Sequence, residues 1–273
     1  MHECNNSLLL CKSRIPHAIP SLPLHSFLPI PTTETKEIPM AHAKEEIQRL
    51  LASAPIKGRY VTLEAFEPAT HAASLWTHLS AGAGIAALFR WMPLLIPHDV
   101  ASLSALLESL PTQYGLAVYA IVGDPEYLNP PAASQQGRQQ QEQQQESQKE
   151  SSPRLHRRET LGVIGYLDIH PSHRALEVGG VIFSPLLQRT CAATEAHYLL
   201  LRNVLESPSP TASAQEQHLQ YTRIAYKCHA LNTASRRAAE RLGYVYEGKW
   251  RKHMLVEGKP RDSDWLSIID EDW

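Results

Sequence analysis

Apolar residues recur along this chain in two different periods. In LGVIGYLDIH (161–170), and again at Val178, Val181, Ile182 and Phe183, β-branched and aromatic residues crowd together as strands require. Further on, Ala193, Ala196, Leu200 and Val204 fall three and four apart, which lays one stripe of a helix against a sheet. The stretch from Leu161 to Glu206 therefore predicts strand, tight loop and helix. Gly179 and Gly180 interrupt its second strand and predict a bulge or a close backbone approach. Pro185 has no N–H to donate and ends the ladder. The helix starts after Gln188-Arg189-Thr190. A strand that breaks and feeds a helix leaves N–H groups at the helix start without partners. Together with the positive end of the helix dipole, they make a seat for a pyrophosphate.

The same patterns place the remaining elements. A short helix begins near Ala41, a strand covers Arg59–Phe66, and Thr70–Leu79 is helical. Asp99 is a good N-cap for a helix reaching Ser109, and Tyr114–Val122 and Thr222–His229 read as strands. The next helix has Asn232 at its N-cap, Thr233 to Ser235 in its first turn and Gly243 as its stop, with Arg236 and Glu240 spaced as a surface ion pair. Tyr244–Trp250 and Trp265–Ile269 close the sheet. Two segments break the pattern. Residues 1–40 are rich in Pro, Ser, Thr and His and predict a disordered N-terminal extension, with Met40 a candidate working start. Residues 130–158 form a glutamine-rich, low-complexity tract, read as a passive insertion in a surface loop of one domain spanning 41–273.

The chain has 273 residues, 43% of them hydrophobic, so a sizeable core is assured. A net charge of −2 gives no electrostatic case for binding nucleic acid or an acidic membrane surface. No apolar run is long enough to span a bilayer. Leu8-Leu9-Leu10 is too short for a signal-peptide core. The four cysteines show no zinc-type spacing, which predicts reduced thiols and a cytoplasmic location. His170 and His173 form the nearest histidine pair, without a third ligand close by, so no metal is expected.

Two ordered motifs carry a resemblance. The run Gln188-Arg189-Thr190-Cys191-Ala192-Ala193 resembles the Gln/Arg-x-x-Gly-x-Gly/Ala loop of the GNAT acetyltransferases, with Cys191 where glycine is usual. The run ALNTASRRAAERLGYVYEGKWRKHMLVEGKPRDSDW closely resembles the C-terminal half of the ribosomal-protein N-terminal acetyltransferase branch. The likeness covers roughly residues 55–270 apart from the glutamine tract. It implies an α+β fold: a mixed, mostly antiparallel central sheet flanked by helices, with a splayed fourth strand. It also implies acetyl-CoA as co-substrate, bound by Gln188, Arg189, Thr190, Cys191, Ala192, Ala193 and Thr194 at the pyrophosphate. Val181 and Phe183 would hold it along the strand, and Asn232 beside the pantetheine arm.

By the same resemblance, Ser235 approaches the thioester sulfur. Ala239 stands where many relatives carry a tyrosine that protonates the thiolate, which leaves the general acid open. LFRWMPLLIP (88–97) resembles an acceptor-side loop, and core packing of Phe89, Trp91 and Met92 accounts for it equally well. Backbone N–H groups from Val181 to Phe183 could polarise the thioester carbonyl. Glu177 is the candidate base for the ammonium proton; its alternative reading is a solvent-facing strand edge paired with Arg174, and Asp168 is the second candidate. The expected reaction moves acetyl to a primary amine, a protein N-terminal amine ahead of a small-molecule amine. The competing classes are a silent CoA-binding protein and a scaffold recruited through the glutamine tract. Oligomeric state is left open.

Overall fold

The computed structural model of the chain describes residues 40–81, 84–129, 157–206 and 220–273. The expected N-terminal extension and nearly all of the 130–158 insertion lie outside these residues. Eight strands form one sheet in the order β1-β2-β3-β4-β5-β6-β8-β7. The first five are β1 (Ile56–Lys57), β2 (Val61–Ala65), β3 (Ala117–Gly123), β4 (Glu159–His170) and β5 (Ala175–Phe183), each antiparallel to the next. β6 (Arg223–His229) runs parallel to β5. Beyond it, β8 (Lys259–Ile269) and β7 (Val245–Val256) complete the sheet antiparallel. This is the mixed, mostly antiparallel α+β architecture that the sequence implied.

Alternation along the strands splits the core into two layers. Tyr119, Tyr166 and Val178 face α1 (Met40–Leu51) and α5 (Cys191–Leu205), where Leu50, Ala196 and Leu200 are buried against them. Val118, Val163 and Ile182 share the other core with α2 (Pro68–Leu79), α3 (Ile85–Phe89) and α4 (Val100–Tyr114), through Leu75, Phe89 and Leu107. The stripe Ala193, Ala196, Leu200 and Val204 is buried, so the helical period found the right face of α5. The two buried tyrosines keep a polar tip satisfied. Tyr119 donates to the Leu50 carbonyl at 2.5 Å and Tyr166 to the Leu200 carbonyl at 2.7 Å.

Three boundaries differ from expectation. α4 continues past Ser109 through Pro111 to Tyr114, so Tyr114 is helical and β3 starts later. Asp99 does cap it, in a reciprocal box with Ser102, and Gly115 closes it at φ 62°. A proline inside a helix forfeits one hydrogen bond; here burial of Leu103, Leu107 and Leu110 on one stripe carries the helix through. The two closing strands form a long hairpin rather than short pieces, because Glu257 (φ 50°) and Gly258 (φ 74°) supply a two-residue turn. The mostly exposed β7 lacks the apolar alternation that would have shown its length. The two-residue β1 was too short to show any period.

Candidate active site

β5 and β6 pair through only three residues: Ala175 with Arg223, Leu176 with Ile224 and Glu177 with Ala225. Past Glu177 no pairing joins them, and a cavity of about 200 Å³ opens between Gly179–Ile182 on one strand and Tyr226–His229 on the other. The expected bulge lies on the β5 side. Gly165 faces Gly179 and Val163 faces Ile182, so Gly180 and Val181 together oppose Ile164. Only glycine suits the turn: Gly180 has φ 61°, and a Cβ there would sit 2.7 Å from Leu116 Cδ2. The Ser184 N–H donates back to the Leu161 carbonyl at 3.0 Å. Alternation therefore turns the Phe183 N–H, and that of Val181 two residues before it, into the gap.

Glu177 stands at the vertex where the strands part. It is 2% exposed, and its Oε2 is 2.5 Å from Lys227 Nζ. Burial pushes its carboxyl up to about 7, and the Lys227 ammonium only partly opposes that shift. The alternative of a solvent-facing strand edge is overturned. Arg174 does not pair with it but donates from Nε to the Gln220 carbonyl at 2.7 Å. The parallel register brings Lys227 beside Glu177, a partner that a residue fifty positions earlier cannot announce in sequence. Asp168 is exposed, 2.9 Å from His170 Nε2, and does not line the cavity.

Asn232 caps α6 (Thr233–Arg241), its Oδ1 accepting from the Ser235 N–H at 3.2 Å. Ser235 Oγ lies 2.8 Å from the Tyr226 hydroxyl, and all three residues line the cavity. Tyr226 was missed because an aromatic in a strand reads as core. Burial pushes its phenol up to about 12, so it stays protonated at neutral pH. Ala239, fully buried, offers no acid. From the opposite wall, Trp91 and Met92 face the cavity, while Phe89 packs in the core. The core reading holds for Phe89 and for Met92, which also packs against that core, while Trp91 lines the cavity. Trp91 stacks near His229, with ring centroids 4.7 Å apart.

α5 starts after Thr190 as expected, but the surroundings of that start differ from expectation. Thr190 is its N-cap, and Arg189 before it takes φ 62°. The N–H groups there are not free. Cys191 donates to Asn129 Oδ1 at 2.9 Å, Ala192 to the Leu128 carbonyl at 3.0 Å and Ala193 to Thr190 Oγ1 at 3.1 Å. Gln188, itself exposed, donates from Nε2 to the Phe183 carbonyl at 3.0 Å, and Thr194 is exposed in the first turn. The segment after β3 folds back over the helix start with Leu128 buried, and its oxygens take the positions an anion would. A larger cavity, about 360 Å³, lies between the β1–β2 turn and Arg157–Arg158. Those arginines turn to Glu159 and Glu64, and the acid–base groups lie at the smaller cavity.

Among the described residues no three His, Cys, Asp or Glu side chains converge as a metal site would require, and no helix is long and apolar enough to cross a membrane. The family profile described as an acetyltransferase (GNAT) domain matches residues 107–245. The chain belongs to this family of acetyl-CoA-dependent N-acetyltransferases. A GCN5-related N-acetyltransferase from Brucella melitensis is 26% identical, with 80% of this chain and 79% of that one covered at a TM-score of 0.60. A structure from Chromobacterium violaceum, described as a GNAT-family acetyltransferase, is also 26% identical, covering 80% and 87% at 0.57. A ribosomal L7/L12 alpha-N-protein acetyltransferase is 15% identical over 78% of this chain and 93% of that one at 0.52, a likeness of fold. No curated protein matches the chain.

Proposed function

We propose that the protein transfers acetyl from acetyl-CoA to a primary amine, with Glu177 as the base. The observation that carries this reading is the buried Glu177 carboxyl, near pH 7, at the vertex of the cavity between β5 and β6. The gap fits the arm of an acyl-CoA: Val181 lines one side, with the Phe183 N–H just beyond it, and Asn232 and Ser235 line the other. Acetyl-CoA supplies the activated thioester. Glu177 takes a proton from the ammonium, directly or through water, and the freed amine forms the new C–N bond as the C–S bond breaks. The second proton, shed by nitrogen as the amide forms, passes to the departing thiolate by way of Ser235, which is within hydrogen-bond reach of the Tyr226 phenol. Val181 and Phe183 direct N–H groups to the carbonyl oxygen, where negative charge develops. Gln188 to Thr194 hold the pyrophosphate once the Leu128–Asn129 segment yields its place.

The acceptor in this reading is a protein N-terminal α-amine, supported by the motif run from Asn232 to Trp265, which resembles the ribosomal-protein branch. A small-molecule amine is the second reading, favoured by the modest size of the cavity. Incubation with acetyl-CoA and a panel of small amines, free-N-terminal peptides and blocked peptides decides between them. Mass spectrometry should find one acetyl group on the terminal amine of the free peptides. Acetylation confined to small amines would select the second reading. A protein that binds acetyl-CoA yet acetylates nothing in the panel would refute both.

A further inference from the structure

Arg261 belongs to the same wall of the cavity as Glu177 but has a different chemistry. In β8 it shares a face with Ser263 and Trp265, and Trp265 sits opposite Lys227 in the register with β6. Lys227 Nζ lies 5.2 Å from the centre of the Trp265 ring. Arg261 is therefore on the face that carries Glu177 and Lys227, and it lines the cavity itself.

Arg261 is buried (8% exposed), yet among the described residues no carboxylate pairs with its guanidinium. Lys227 is matched by Glu177, Arg236 by Asp264 and Arg223 by Glu247. Arg261 Nε has no hydrogen-bond partner, and Nη1 reaches only Met254 Sδ at 3.5 Å, a weak acceptor. His229 and His253, close by, are both held below the ordinary histidine value, mainly by burial, and add no negative charge. The cavity wall thus carries Lys227 and Arg261 against the single carboxylate Glu177. A buried guanidinium without a partner is costly, and its planar fork of donors matches a carboxylate in a two-bond pair.

We infer that Arg261 is the seat for an anionic group of the acceptor, so that the preferred substrates are primary amines carrying a carboxylate. This rests on the acetyl-transfer reading above for its consequence in catalysis, though not for the binding itself. The carboxylate could be that of a small amino acid or an acidic side chain close behind a peptide N-terminus. The two sources share this chemistry.

The experiment pairs probes that differ in that group: β-alanine against propylamine, and peptides opening Ser-Asp against Ser-Asn. Binding is measured by isothermal titration in the presence of CoA, and acetylation in parallel. The carboxylate-bearing member of at least one pair should bind wild-type protein ~10-fold or more tighter, and which pair shows it identifies the source. Arg261→Met should erase the difference and Arg261→Lys should keep part of it, with acetyl-CoA affinity and melting temperature checking the fold. If Arg261→Met fails to fold, the wild-type pairs with Arg261→Gln carry the test. No preference in wild type, or a preference that survives in a folded variant, overturns the inference. A preference that depends on Arg261 while no amine is acetylated would leave the anion seat standing and refute acetyl transfer.

Discussion

Glu177 and Lys227 form a buried ion pair, Oε2 to Nζ 2.5 Å, at the point where the only three-residue parallel pairing in the sheet gives out. The carboxylate side chain is 3% exposed and the ammonium 20%, and both residues line the cavity. Desolvation of a carboxyl favours its neutral form, and the nearby cation favours the charged one. The balance leaves Glu177 near 7, where it can accept a proton under ordinary conditions without being permanently charged. Replacing Lys227 with Met removes the opposing influence. The pH at which Glu177 ionises should then move upward, seen as an alkaline shift of the inflection in kcat/KM. An inflection that stays in place would detach the pair from the activity.

The same balance links to stability. The folded-state value lies above the ordinary 4.5, so between 4.5 and about 7 the folded protein holds a proton that the unfolded chain has lost. That contribution is fully present below 4.5 and fades as pH rises through 7. Wild-type melting temperature should therefore fall across this window relative to Glu177→Gln, which has no carboxyl to ionise. Parallel curves for the two proteins would contradict the raised value.

At the far end of the sheet, Glu195 of α5 accepts from the backbone N–H groups of Arg59, Tyr60 and Val61 at 2.7, 2.6 and 3.0 Å. It ties the β1–β2 turn to α5. Glu195→Ala should lose about 2–4 kcal/mol, since several donors lose a charged acceptor together. Urea denaturation reads this as a lowered midpoint. An unchanged midpoint would show that water serves those donors equally well.

The Leu128–Asn129 segment competes for the start of α5. Asn129→Ala frees the Cys191 N–H and should tighten acetyl-CoA binding several-fold, at a stability loss of ~1 kcal/mol for the missing cap. Cys191→Asp places a carboxylate at an exposed first-turn position, good for the helix and adverse for a phosphate. It should weaken binding ~10-fold or more while leaving melting temperature unchanged or higher. Isothermal titration measures both. Equal affinities across wild type and the two variants would move the pyrophosphate elsewhere.

What the sequence revealed and what it hid divide by distance along the chain. The caps at Asp99 and Asn232, the stripe on α5 and the glycine bulge are local, set by a few neighbouring residues and their periods. The motif run around Ser235 placed that residue at the cavity, and Glu177 was singled out from its strand. The partners were not legible. Lys227, Tyr226, Asn129 and Arg261 reach the site through a parallel register, a folded-back segment and a long hairpin. None of these leaves a periodic trace. Burial of Glu177 follows from the same register, which is why an exposed edge stood open as the alternative reading beforehand.

Ser235 and Tyr226 share one hydrogen bond, so their losses should be unequal and less than additive. Ser235→Ala should slow turnover by ~10², the low end of the range of a positioned acid, and Tyr226→Phe by less. Slow-leaving thioesters should suffer more than fast-leaving ones, the readout that separates proton donation from packing. Equal effects on both would assign the pair a structural role.

The most direct test of the account is the pH dependence of kcat/KM for wild type divided by that for Glu177→Gln, measured with one amine acceptor so that its own ionisation cancels. The account predicts a ratio that rises to a plateau of ~10²–10⁴ with an inflection near 7, and unchanged acetyl-CoA affinity in the variant. A ratio close to one across the range, or a loss confined to acceptor KM with kcat intact, would contradict Glu177 as the base.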